Sequence, residues 1–178
     1  KAVEALGIKI MTHEDYEADD LIGSTAKALE SDYDIEVITG DRDLLQLIDD
    51  KITVTLCHKG VSEMKPMTPE IFNQEYGFAP KGIIELKALW GDTSDNIPGV
   101  PSIGEKKGMA LVQQFGNIDN LYSNIDKVEN EKMRQKLLDG KESAELSHFL
   151  ATIVTDVKTF ESNSEFNWNE ANLQSEAF

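Results

Sequence analysis

Gly91-Asp-Thr-Ser-Asp-Asn-Ile-Pro-Gly-Val-Pro-Ser-Ile-Gly-Glu-Lys-Lys107 is the stretch on which the reading of this chain turns. Its middle, Pro98 to Gly104, is rich in proline and glycine and separates two segments of helical composition, so it reads as a hairpin between helices. Glycine lets a backbone come close to a ligand, and a helix opening at Gly104 presents free N–H groups that favour an anion. Lys106 and Lys107 place positive charge just inside that helix. Nothing in the stretch offers a side chain for base edges, so contacts with a nucleic acid would go to phosphate and be independent of sequence. A helix–turn–helix connection that merely needs glycine would look the same here.

Upstream, Lys81 to Trp90 reads as a helix stopped by Gly91, and Thr68-Pro69-Glu70 as a helix start with threonine as N-cap and proline at the first helical position. Lys51 to Leu56 and Ile35 to Thr39 are short, β-branched strands, with Gly40 and a short helix over Leu44–Ile48 between them. Ala18, Leu21, Ile22, Ala26 and Leu29 recur at helical spacing. Ile8 to Met11 alternates like a further strand, and Lys1 to Gly7 reads as the last turns of a helix. Strand, helix, strand, helix, strand implies an α/β domain with a mainly parallel sheet and right-handed crossovers. Residues 105–150 are rich in helix formers, and the tail from Glu161 is polar and weakly patterned. The expected division is an α/β part over 1–97, a helical part over 98–150, and a C-terminal segment over 151–178 that packs back on the α/β part. A chain that opens in mid-helix is expected to lack its natural beginning.

Composition bounds the function. The 178 residues carry 33 Asp plus Glu against 17 Lys plus Arg, a net charge of −16. No apolar run approaches the ~20 residues a membrane helix needs. A single cysteine, Cys57, cannot form an internal disulfide, which points to a reducing, cytoplasmic setting. A disulfide-stapled secreted domain, a membrane protein and a disordered chain are excluded; a monomer is the default. The acidity argues at first against nucleic acid. Residues 98–141, however, hold seven Lys or Arg and six acids, so the excess negative charge sits elsewhere.

Much of it sits in three clusters at element boundaries: Glu17-Ala18-Asp19-Asp20, Asp41-Arg42-Asp43, and Asp92 with Asp95. Each has a plain explanation taken singly, as helix-dipole complement, N-cap or polar Asx-type turn. Jointly they suggest one site beyond the carboxyl ends of the strands. Like charges at close range there would repel by roughly 4 kcal/mol per pair at an effective dielectric near 20, so such a site needs cations. All-oxygen donors suit Mg²⁺ or Mn²⁺. Zinc is not expected, because His13, His58, His148 and Cys57 lack ligand spacing. Two hard cations on carboxylates suit in-line attack of water on a phosphodiester.

Together, Glu17-Ala-Asp-Asp20, Thr39-Gly-Asp-Arg-Asp43 and Gly91 to Lys106 resemble the 5′-nuclease family, over about residues 1–158 and in the correct order. That family includes the 5′–3′ exonuclease domain of bacterial DNA polymerase I, stand-alone bacterial and phage exonucleases, and flap endonucleases. The resemblance implies a PIN-like α/β domain with a helix–three-turn–helix element. It implies Mg²⁺- or Mn²⁺-dependent hydrolysis at 5′ ends and flaps of branched duplex DNA, in replication and repair. Glu17, Asp19, Asp20, Asp41, Asp43, Asp92 and Asp95 match the family's metal-binding acids, with Asp20, Asp41, Asp43 and Asp92 as the catalytic set. Ser102, Gly104, Lys106 and Lys107 match the duplex-holding turn and helix start. Gly99, Val100 and Ile103 occupy the places whose main-chain oxygens bind K⁺.

Two departures accompany the match. Lys107-Gly108 stands where bacterial relatives usually show Thr-Ala, and a glycine inside a helix costs roughly 1 kcal/mol. The family's first strand, with its metal-binding aspartate, and the basic helical arch are absent, so weak cleavage by these 178 residues is expected. Two other readings stay open: a topoisomerase–primase fold, which does not explain the hairpin, and a non-catalytic module that binds DNA structures through the hairpin alone.

Overall fold

The computed structural model describes residue 3 and residues 6–57 and 63–167. The chain forms two compact units, Lys1–Ile35 with Val154–Phe178, and Glu36–Ile153.

In the first unit, α1 (Ala18–Leu29) buries Leu21, Ala26 and Leu29 along one face, as its apolar spacing dictates. The returning segment is tied to this helix by side chains. Ser24 Oγ donates to the Val154 carbonyl (3.1 Å) and accepts the Val157 N–H (3.0 Å), and Thr25 Oγ1 bonds Thr159 Oγ1 at 2.9 Å. Ile8–Met11, expected as a strand, has no regular secondary structure. Ile8 and Ile10 are half exposed, and alternation without a ladder partner does not hold an extended segment in a sheet. Most of the expected opening helix and the end of the tail lie outside the described residues.

The second unit opens on a three-stranded sheet in the order β1 (Ile35–Thr39), β2 (Ile52–Cys57), β3 (Met64–Met67). The central strand β2 buries Ile52, Val54, Thr55 and Leu56, and Thr55 Oγ1 donates to Glu36 Oε1 at 2.6 Å. β3, which the sequence reading did not anticipate, pairs antiparallel to β2 from Val54–Met67 to Cys57–Met64. Its Pro66 blurs any strand signal and is tolerated because β3 is an edge. A 3₁₀ turn over Asp43–Leu47 joins β1 to β2. Thr68 caps α2 (Pro69–Tyr76) as its sequence signature predicts, accepting the Ile71 N–H.

The helical portion comprises α3 (Gly82–Trp90), α4 (Glu105–Phe115), α5 (Ile118–Ser123), α6 (Glu131–Asp139) and α7 (Lys141–Ala151). α3 packs against both α4 and α7. Leu86, Leu89, Val100, Ile103, Leu111, Val112, Leu137 and Ala144 are buried there. Gly108, a helix-weakening residue by sequence, is buried where α4 crosses α3; a Cβ on it would lie 2.9 Å from Leu86 Cδ1. Its lost propensity is offset by close helix approach. Among the described residues no helix is long and apolar enough to cross a membrane.

Candidate functional site

The second and third acidic clusters meet. Asp43, at the start of the 3₁₀ turn after β1, and Asp92 and Asp95, on the loop after α3, each present an oxygen within 4.8 Å of the others. Lys87 stands among them. It lies on α3 one turn before that loop, and its Nζ bonds Asp43 Oδ1, Asp92 Oδ2 at 2.7 Å and Asp95 Oδ2 at 3.3 Å. Three of the clustered acids thus converge, and a lysine supplies part of the charge compensation. Sequence reasoning missed this residue. The signal was a single lysine inside the apolar run Ile83-Ile84-Glu85-Leu86-Lys87-Ala88-Leu89, at a position facing inward.

The charges are strongly perturbed. Burial pushes the Asp43 carboxyl up to about 6, aided by the neighbouring Asp41 and Asp95 charges and opposed by Lys87. Burial also raises Asp92, but hydrogen bonds from Lys87 and Ser94 outweigh it and bring that carboxyl down to about 2. Burial disfavours the Lys87 charge, yet its bonds to Asp43 and Asp92 hold the ammonium well above the usual lysine range. Carboxylate oxygens and one ammonium converge here, and the carboxylates are donors that suit a hard divalent ion.

The loop is built to hold its acids. Asp92 Oδ1 accepts the Ser94 N–H at 2.9 Å and the Ser94 hydroxyl, the Asx-type turn its sequence suggested. Asp92 and Ile97 then exchange both backbone hydrogen bonds at 2.8 Å, closing the loop and delivering the chain into the hairpin. There Gly99 has φ +62° and Ser102 φ +69°, so the turn holds two left-handed residues, one of them not glycine. A Cβ at Gly99 would lie 2.3 Å from the Gly91 nitrogen: the two glycine backbones touch. Gly104 caps α4 as expected, and Lys106 and Lys107 are exposed in its first turn. With Lys127 and Met133 these lysines line a cleft of about 460 Å³. Of the carbonyls assigned to K⁺, Gly99 accepts the Ser143 hydroxyl (2.7 Å) and Val100 accepts the Ile103 N–H (3.1 Å); each keeps a second lone pair.

Asp41 turns its Oδ1 to the Asp43 N–H at 2.9 Å, fixing the turn, and is not one of the three converging acids. Glu17, Asp19 and Asp20 belong to the other unit. Asp20 accepts the Glu17 N–H (3.3 Å) in a capping box and the Val154 N–H (2.8 Å), and Asp19 Oδ1 accepts the Asp20 N–H (2.9 Å). This cluster does cap its helix, as the plainer explanation held. His148 pairs with Glu85 at 3.2 Å, while Glu85 Oε2 accepts the Ile118 N–H, a tie among three helices. His58 lies outside the described residues.

The family described as 5′-3′ exonuclease, N-terminal resolvase-like domain, matches residues 1–77, and 5′-3′ exonuclease, C-terminal SAM fold, matches residues 78–174. The chain is 44% identical over 156 residues to DNA polymerase I of Lactococcus lactis subsp. lactis, covering 86% of this chain and 18% of the polymerase. It is 42% identical over 161 residues to a 5′-3′ exonuclease of Mycoplasma pneumoniae, covering 89% of this chain and 55% of that protein. The T5 5′-exonuclease solved with bound zinc superposes with a TM-score of 0.68 at 27% identity, covering 81% of this chain and 52% of that one. The chain thus spans about half the length of the stand-alone exonuclease it matches and under a fifth of the polymerase. Its mixed α/β fold, its helical C-terminal portion and its match to both family domains over residues 1–174 make this chain a member of the 5′–3′ exonuclease family.

Proposed function

We propose that this chain serves a structure-specific 5′–3′ exonuclease and flap endonuclease of DNA replication and repair, in the cytoplasm, acting as a monomer on phosphodiester bonds at 5′ ends and flaps of duplex DNA. The observation that carries this reading is backbone continuity. The loop bearing Asp92 and Asp95 is closed by the Asp92–Ile97 bridge and runs directly into the hairpin and the Lys106–Lys107 helix start. One short segment thereby joins a cation-demanding cluster to a phosphate-gripping surface.

Bound Mg²⁺ or Mn²⁺ would supply the charge that stabilises the attacking and leaving oxygens. Asp43, Asp92 and Asp95 would hold it, joined by Asp41 and by Glu17, Asp19 and Asp20, with Asp20, Asp41, Asp43 and Asp92 as the central set. Lys87 keeps the trio assembled and leaves a positive group beside any phosphate that enters. Residues 98–150 hold the duplex backbone through Ser102, Gly104, Lys106 and Lys107, with K⁺ on the carbonyls of Gly99, Val100 and Ile103.

The test follows thermal stability in Mn²⁺ together with binding and cleavage of a 5′-flap duplex, for the unaltered chain and for Asp92→Asn. Mn²⁺ should raise the melting temperature of the unaltered chain and much less that of the variant. Flap binding without any Mn²⁺ response would leave a non-catalytic DNA-binding module instead. Rapid cleavage would refute the expectation of weak activity.

A further inference from the structure

The two serines of α7 that face the hairpin are unexplained by acids, lysines or phosphate chemistry. Ser147, fully buried, accepts the Gly99 N–H at 2.9 Å; Ser143, one turn earlier, donates its hydroxyl to the Gly99 carbonyl at 2.7 Å. A single peptide residue is thus gripped at both its polar groups by one helix. Gly99 rests on Gly91, the residue before Asp92, with backbone against backbone. The Val100 N–H bonds the Leu89 carbonyl at 2.8 Å, which pins the hairpin to the end of α3. The start of α7 also packs closely on the hairpin, since a Cβ on Gly140 would lie 2.8 Å from Val100 Cγ1.

Resting on the nuclease reading above, we propose that Ser143 and Ser147 are positioning residues that lock the metal-acid loop and the DNA-gripping hairpin into one rigid register. The physical argument is that Gly99 has no side chain of its own to hold it. Its left-handed conformation and its contact with Gly91 persist only while its N–H and C=O are fixed from outside. Released, the hairpin and the Asp92–Asp95 loop shift together, because the Gly91–Gly99 contact and the Asp92–Ile97 bridge leave no slack between them. Both ligands then bind a smaller population of competent molecules and lose affinity by the same factor.

Titrations of the 178-residue chain with Mn²⁺ alone and with a 5′-flap duplex alone, well below its melting temperature, test this. Ser147→Ala should weaken both by one common factor, at most about five, the ceiling set by one lost hydrogen bond. Ser143→Ala should weaken both more mildly, and Ser143→Thr should restore both. Saturating Mn²⁺ should return the duplex affinity of Ser147→Ala toward that of the unaltered chain, since metal selects the same register. Thr55→Ala, which removes a buried hydroxyl from the sheet, should lower the melting temperature and move neither affinity. A lower melting temperature in the serine variants with one or both affinities unchanged would overturn the proposal. If Ser147→Ala fails to fold, the half-buried Ser143 pair of variants decides it by the same criterion. An unaltered chain that binds neither Mn²⁺ nor duplex fails differently, ending the nuclease reading itself.

Discussion

Lys87 is the residue whose placement says most about the site. It is about one-tenth exposed and is shared by three carboxylates that would otherwise repel one another. Removing one partner of a buried charge set leaves the others uncompensated, which costs roughly 3 kcal/mol. Lys87→Met should therefore lower the melting temperature markedly in chelator, and Mn²⁺ should recover more stability in the variant than in the unaltered chain. Calorimetry with and without Mn²⁺ reads both effects, and equal Mn²⁺ gains in the two proteins would contradict the argument. Asp43 and Asp92 respond to pH with opposite signs. Asp92, held near 2 against 3.8 unfolded, contributes stability that is present above about pH 4 and lost as pH falls toward 2. Asp43, raised to about 6, binds its proton more tightly when folded, so its ionisation removes stability as pH rises from about 4 through 6. A metal requires the ionised carboxylate. Mn²⁺ affinity should thus climb by about tenfold per pH unit below 6 and level off above about 7. A flat profile over that interval in metal titrations would remove Asp43 from the ligand set.

At the scale of elements, the hairpin leads straight into the first turn of α4 and its two lysines. Lys106 and Lys107 are exposed and, among the described residues, form no ion pair with a carboxylate, so both remain available to phosphates. Each phosphate contact releases about one counterion, so Lys106→Ala/Lys107→Ala should weaken duplex binding and flatten its salt dependence by about one log unit per log unit of salt for each lysine. The loss should be uniform across DNA sequences, because no base edge is read. Anisotropy titrations over a range of KCl measure the slope; an unaltered slope would show that the duplex lies elsewhere. Much of this element was legible beforehand. Gly91, Gly99 and Gly104 mark the turn, just as Thr68-Pro69 marks the start of α2, because caps and left-handed turns depend on a few neighbouring backbone groups. Gly108 does cost helix propensity, and what offsets it, the close contact with Leu86, lies on another helix and leaves no local signal.

Across the whole molecule, a net charge of −16 looked hostile to a polyanion, and the resolution is local. Part of the acidity is consumed in backbone caps at Asp20, Asp41 and Asp92, and part meets Lys87. Residues 98–141 hold seven Lys or Arg against six acids, so the hairpin and the helices after it are near neutral. By itself the sequence determined the residue chemistry, the order of the motifs and most helices and strands, because these follow from short-range sterics, capping and periodicity. Only the tertiary structure decided that Lys87 enters the acidic trio, that Ser143 and Ser147 grip Gly99, that Met64–Met67 joins the sheet, and that Ile8–Met11 does not. Those outcomes depend on which distant groups bury and satisfy one another, and a one-dimensional pattern records the groups without recording their partners.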